Sequence, residues 1–362
     1  YSRGSPMSRI CLTFAFLAAA GAQLAAVEAG QAKPPIVYKT PADAILPVYR
    51  YVGKEAIGKV PFYSEYGAQN DEPSQYRGDP ASWRDNLEVI TAYSTLFLIT
   101  LRSADEPEKF ELAVELTRRA YENRQLIAFF GYGEEGVQKL GRVLDRLETL
   151  PNGQKIIRNI VANNLADEPY LGGKSPEQME KLIACFDQHI QSRYPHIQSW
   201  INFAVSTKDI RTWGTGKDGL KRLPKGLDIV SIDWYAFLGN GTKNGWGHRD
   251  FRVVERQILD IALPRFLDEQ TARLKEAIAA AYPPGQEPMM WLLGNSCYVW
   301  GVTHPTPVSV QDAYFEYVRR TEWAGLIWWI FEDFKDCIGG RHYEIIRSHQ
   351  RHGQRIRQQQ LY

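Results

Sequence analysis

Short apolar runs rich in β-branched and aromatic residues alternate along the chain with longer stretches whose apolar positions recur at helical spacing. Eight runs read as strands: residues 59–63, 95–101, 126–130, 156–165, 200–204, 227–235, 289–293 and 325–331. Their near-continuous hydrophobicity, as in Leu96-Phe97-Leu98-Ile99, is what strands covered on both faces of a parallel sheet require. The intervening stretches carry helix starts. Ser103 with Glu106 predicts a capping box, and Ser175 before Pro176 predicts a capped helix whose apolar face is Met179, Leu182, Ile183, Phe186 and Ile190. Further helices are expected over 80–93, 137–147, 252–281 with a break near Pro264, and 310–322; the helix after the fifth strand is weakly marked. Eight strands alternating with helices predict an α/β fold, a single-domain (β/α)8 TIM barrel spanning residues 30–362. A doubly wound open sheet needs a glycine-rich phosphate turn after its first strand, and Tyr63-Ser64-Glu65-Tyr66-Gly67 is not one.

The first 29 residues stand apart from this alternation. Residues 1–6 read as an expression scar ahead of a start Met7, Arg9 as a positive n-region, 10–20 as an apolar h-region, and Val27-Glu28-Ala29 as a cleavage pattern. A membrane anchor is the competing reading, but the run is short and is interrupted by Gly21 and Gln23. The expectation is a secreted or periplasmic protein with no membrane association once the signal is removed. Net charge is +1, from 43 basic and 42 acidic side chains. Removing Arg3, Arg9 and Glu28 with the signal makes the two counts equal, so nothing points to a nucleic-acid partner. Cys185 is expected to be an inert, buried thiol. Cys297 and Cys337 each follow one of the last two strands, which on a barrel sets them on adjacent loops within reach of a disulfide.

Composition changes the picture in one respect: the chain carries 10 Trp and 19 Tyr. Many of these, with a set of carboxylates, fall at the carboxyl ends of the predicted strands, where barrel enzymes keep their reacting groups. Glu65 follows the first strand, Gly131-Tyr132-Gly133-Glu134-Glu135 the third, and Ala166-Asp167-Glu168-Pro169-Tyr170 the fourth. The sixth ends in Asp233-Trp234-Tyr235, the seventh runs from Trp291 to Asn295 and Tyr298, and the eighth ends in Trp328-Trp329 with Glu332 beyond. Carboxylates among aromatic rings suit carbohydrate: a ring packs on the C–H face of a sugar, while one carboxyl protonates the glycosidic oxygen and a second acts as base or nucleophile. Taken singly, each carboxylate could instead cap the next helix and each ring could be core packing. No His-Glu-x-x-His, Cys-x-x-Cys, Gly-x-Ser-x-Gly or P-loop pattern is present, so neither metal nor cofactor is expected. His349 and His352 sit on a basic C-terminal helix that reads as a solvated face. Residues 239–247 form a long connection in which Trp246 is a candidate to close over substrate.

These segments resemble a known family. Ala166-Asp167-Glu168-Pro169 is similar to the Asn-Glu-Pro signature of the large retaining glycoside hydrolase clan, clan A. Asp228-Ile229-Val230-Ser231-Ile232-Asp233-Trp234-Tyr235 resembles its strand-six pattern, and Gly325-Leu326-Ile327-Trp328-Trp329 its strand-eight segment. The resemblance implies Glu168 as general acid/base, Tyr235 as a phenol lining the site and Trp328 or Trp329 as a sugar platform. Two departures stand out. Asp167 replaces the family's Asn, and an ionised neighbour raises the pKa of Glu168. On strand seven, Pro288 to Asn295 offers no carboxylate where the family's nucleophile stands; Asn295 is the nearest polar residue.

Three readings follow. A carboxylate from another strand end, Glu332, Asp233, Glu65 or Glu135, supplies the second function, with a separation of about 6.5–9.5 Å implying inversion and about 5 Å retention. Alternatively, Asp167 and Glu168 act as in substrate-assisted N-acetylhexosaminidases, or the site binds glycans without cleaving them. The expected substrate-binding set is Glu65, Trp234, Tyr235, Trp246, Trp291, Asn295, Tyr298, Trp328 and Trp329.

Overall fold

The computed structural model describes residues 62–65, 87–204, 222–234, 263–295, 308–329 and 343–360. The signal segment, the weakly marked helix after the fifth strand, the 239–247 connection and the Cys297–Cys337 pair lie outside them. The elements run β1 (Phe62–Glu65), β2 (Leu96–Thr100), α1 (Pro107–Glu122), β3 (Leu126–Phe130), α2 (Gly133–Glu148), α3 (Gly153–Arg158) and β4 (Ile160–Asp167). They continue with α4 (Pro176–Phe186), a π-turn (Asp187–Gln191), β5 (Gln198–Ala204), β6 (Ile229–Trp234), α5 (Leu263–Ala281), β7 (Met289–Asn295), α6 (Val308–Arg320), β8 (Gly325–Trp329) and α7 (Tyr343–Gln360).

The strands form one sheet in the order β1-β8-β7-β6-β5-β4-β3-β2, and every pairing in it is parallel. Alternate residues explain its two apolar surfaces. Leu98, Phe130, Trp200, Ile229, Trp291 and Ile327 share one cluster on the concave face, while Ile99, Phe129, Ile201, Ile232, Leu292 and Trp328 join the helices in another. The sheet is curled, with side chains filling its concave face and helices covering the other. No ladder bond joins β1 to β2 among the described residues. The two edge strands nevertheless approach each other, and helix α7 packs nearby: His349 stacks on Trp328 of β8, the strand next to β1, at 4.7 Å, and Gly353 presses against the Tyr93 backbone just before β2.

Three local expectations are corrected. The predicted fourth strand is split, because Gly153–Arg158 turns helical and buries Ile156 and Ile157 before the strand begins at Ile160. The Ser103 capping box does not form: Pro107, with φ fixed and no N–H to satisfy, starts α1 behind Glu106. His349 and His352 do not lie on a solvated face; they are 0% and 3% exposed. By contrast the Ser175 box is complete, with Gln178 closing it. Cys185 is half-buried, and burial holds its thiol pKa above the usual range.

At the amino end, Asp228 fastens β5 to β6. Its Oδ2 accepts from Ser199 N (2.9 Å), Ser199 Oγ (2.9 Å) and Gln191 Nε2 (2.6 Å), the last delivered by the π-turn. These bonds brace that end of the sheet.

Candidate active site

The carboxyl end of β4 is built by a bulge. Its register against β5 shifts between Asn164 and Ala166, and Asn164 Oδ1 accepts the Ala166 N–H at 3.1 Å. Leu165 turns out toward the helices, and Asp167 comes level with Asn202 of β5. Bulges of this kind re-aim side chains beside functional sites. Beyond it, Glu168 has φ 44°, in the left-handed region that non-glycine residues rarely occupy. Its N–H donates to Asn202 O at 2.9 Å, and its carbonyl accepts from Leu171 N at 3.0 Å. The pair therefore crowns the strand and does not cap α4, whose cap is Ser175.

Asp167 Oδ1 accepts from Asn202 Nδ2 at 2.9 Å. The residue as a whole is exposed at the strand end, while protein atoms crowd its carboxyl. The low-dielectric surroundings push its pKa to about 6, against the pull of the Asn202 bond and with a smaller push from Glu168.

Asp233 occupies a lumen-facing position of β6, two residues above Ser231 and level with Ala204, and is 4% exposed. Glu135 is engaged elsewhere, in an ion pair with Lys139 at 2.7 Å. Glu65, Trp234, Asn295 and Trp329 stand at the ends of β1, β6, β7 and β8. Their side chains, and Tyr235, Trp246, Tyr298 and Glu332 entirely, lie outside the described residues.

Two expected platforms are corrected. Trp291 and Trp328 are each 0% exposed. Trp291 packs in the lumen edge-on to Trp200 at 4.9 Å, and Trp328 lies on the outer face between His349 and Tyr314. Neither offers a face to a ligand. Sequence reasoning missed two residues. Tyr132, at the end of β3 and beside the pair's strand, is 38% exposed and leans on Phe130 edge-on at 6.1 Å; it was visible only as part of a loop. Asn202 is the polar residue in the run Trp200–Ala204, at an inward position of β5, and that parity was the available signal. Among the described residues, no three His, Cys, Asp or Glu side chains are grouped to hold a metal ion.

No family model matches the sequence, and no curated protein is similar to it in sequence. Solved structures do share its fold. One is GH5_18 from Streptomyces cattleya in complex with GlcNAc, with TM-score 0.52 and 13% identity over 83% of this chain and 81% of that one. Another is the exo-beta-1,4-mannosidase Op5Man5 from Opitutaceae bacterium strain TAV5, with TM-score 0.51 and 12% identity over 82% of this chain and 60% of that one. The structural neighbours are glycoside hydrolases, and what this chain shares with them is the architecture of a curled parallel sheet wrapped by helices.

Proposed function

We propose that the chain is a glycoside hydrolase that cleaves O-glycosidic bonds in a poly- or oligosaccharide, with Glu168 as the general acid. The observation that carries this reading is the Asp167-Glu168 pair at the carboxyl end of β4, held by β5 and free of any capping duty. Strained residues collect where function over-determines geometry. The fold shared with glycoside hydrolases, one solved with GlcNAc and one a mannosidase, supports a sugar as the ligand.

In this mechanism Glu168 delivers its proton to the leaving oxygen, and Asp167 sets the local charge. Asp233 is the second carboxylate: two strand spacings from β4, it stands roughly 10 Å away along the sheet, and inward side chains converge from there. A water fits between carboxyls about 6.5–9.5 Å apart. Tyr132 supplies an aromatic face at the rim, and Trp234, Tyr235 and Trp329 are further candidates. We also propose that the sheet closes as a (β/α)8 barrel, with α7 covering the seam, and that the protein is exported.

Wild type and Glu168→Gln, assayed for new reducing ends on a panel of polysaccharides, test the reading. The expected outcome is turnover on at least one glycan and a loss of about 10²–10⁴-fold in the variant, with sugar binding retained. Binding without turnover by wild type, or an unchanged rate in the variant, overturns it.

A further inference from the structure

Beneath the acid pair, three buried groups in the lumen form a hydrogen-bonded chain that ends on Asp167. Trp200 Nε1 donates to Ser231 Oγ at 2.6 Å, Ser231 Oγ donates to Asn202 Oδ1 at 2.7 Å, and Asn202 Nδ2 donates to Asp167 Oδ1 at 2.9 Å. Trp200 and Ser231 are 0% exposed and Asn202 1%, so each must find its partners within the protein.

The chain runs one way. An indole N–H donates and never accepts, so Ser231 receives that proton and sends its own onward to Asn202. The amide must then present its oxygen to Ser231 and its NH2 to Asp167; the flipped amide would set its NH2 against the Ser231 proton and its oxygen against a carboxylate oxygen. The same residue also holds the other member of the pair, because its backbone carbonyl accepts the Glu168 N–H.

We propose that Asn202 is the positioning residue of the acid pair: the one-way chain from Trp200 makes its amide a fixed donor to Asp167 Oδ1, so Oδ2 alone takes up and gives away the Asp167 proton. The catalytic consequence rests on the hydrolase reading; the geometry does not. Among the described residues, Glu168 on the same segment is the charged group that acts on Asp167; Asp233 stands two strands away at the end of β6, and the groups supplied by β5 at this level, Asn202 and Ala204, are neutral.

The test is the titration of the Asp167 carboxyl, followed by carbon-13 NMR in wild type, Asn202→Ala and Ser231→Ala and assigned against Asp167→Asn. Losing a donor to the ionised form moves the midpoint up, by about one pH unit for Asn202→Ala. Ser231→Ala touches Asp167 nowhere, yet it releases the amide and is expected to raise the midpoint by a smaller step. A purely structural role for Ser231 lowers the melting temperature and leaves the midpoint where it was. Unmoved midpoints in the folded variants overturn the proposal, and Ser231→Ala decides alone if Asn202→Ala does not fold. Midpoints that move while wild type cleaves no glycan uphold the positioning and sink the hydrolase. Glu168-dependent cleavage with unmoved midpoints does the reverse.

Discussion

A non-glycine residue in the left-handed region costs on the order of 1 kcal/mol or more and persists where its surroundings over-determine it. At Glu168 the determinants are a ladder bond to Asn202 and the turn that closes on its carbonyl. A second residue-scale balance involves His352. It stacks on Phe315 at 4.1 Å and donates from Nε2 to Asp312 Oδ1 at 2.7 Å. Burial, more than the pull of Asp312, holds its pKa below 6.5. A histidine with a depressed folded pKa leaves stability intact above 6.5 and erodes it as pH falls, because only the unfolded chain takes up the proton. Thermal melts at pH 7.5 and 5.5 are expected to show a smaller acid-induced loss for His352→Gln than for wild type; an equal loss contradicts this. The sequence revealed the histidines but not their burial, since basic residues around them made the helix look solvated. Glu168 was legible from its motif, whereas Asn202 acquires meaning only when β5 is laid against β4.

Two elements, β7 and β8, show how packing rather than function places tryptophan. Gly294 is level with Trp328 and Gly325 with Trp291, one pair outside the sheet and one inside. A Cβ on Gly294 would lie 2.6 Å from Trp328 Cζ3, and one on Gly325 would lie 2.7 Å from Trp291 Cδ1. Each ring lies over the bare backbone of its neighbour. Gly294→Ala is therefore expected to destabilise the fold by about 1–3 kcal/mol in urea titrations. Gly141→Ala in α2, where only Ile190 Cδ1 comes within 3.9 Å, should stabilise it by about 0.5–1 kcal/mol. Equal effects would refute the account. The strands from β2 to β8 were readable because burial on both faces leaves an apolar run, whereas β1, expected at 59–63, forms at Phe62–Glu65. Boundaries failed where local chemistry competed: Pro107 overrode the Ser103 box, and a short helix took Ile156 and Ile157 from a run that looked uniform.

At the scale of the molecule, aromatic content divides between core and rim. Trp200, Trp291, Trp323 and Trp328 are among the largest fully buried side chains, so the Trp count speaks first for packing. The sugar reading rests on the carboxylates. A curled parallel sheet braced by Asp228 at one end presents Asp167, Glu168 and Asp233 at the other. The most direct test compares kcat/KM for an aryl glycoside with a good leaving group, such as dinitrophenolate, and an alkyl glycoside, whose alcohol is a poor one. A departing group that needs no proton bypasses the acid. Glu168→Gln is predicted to lose about 10²–10⁴-fold on the poor leaving group and to retain most of its rate on the good one. Equal losses on both, or none on either, would contradict Glu168 as the acid.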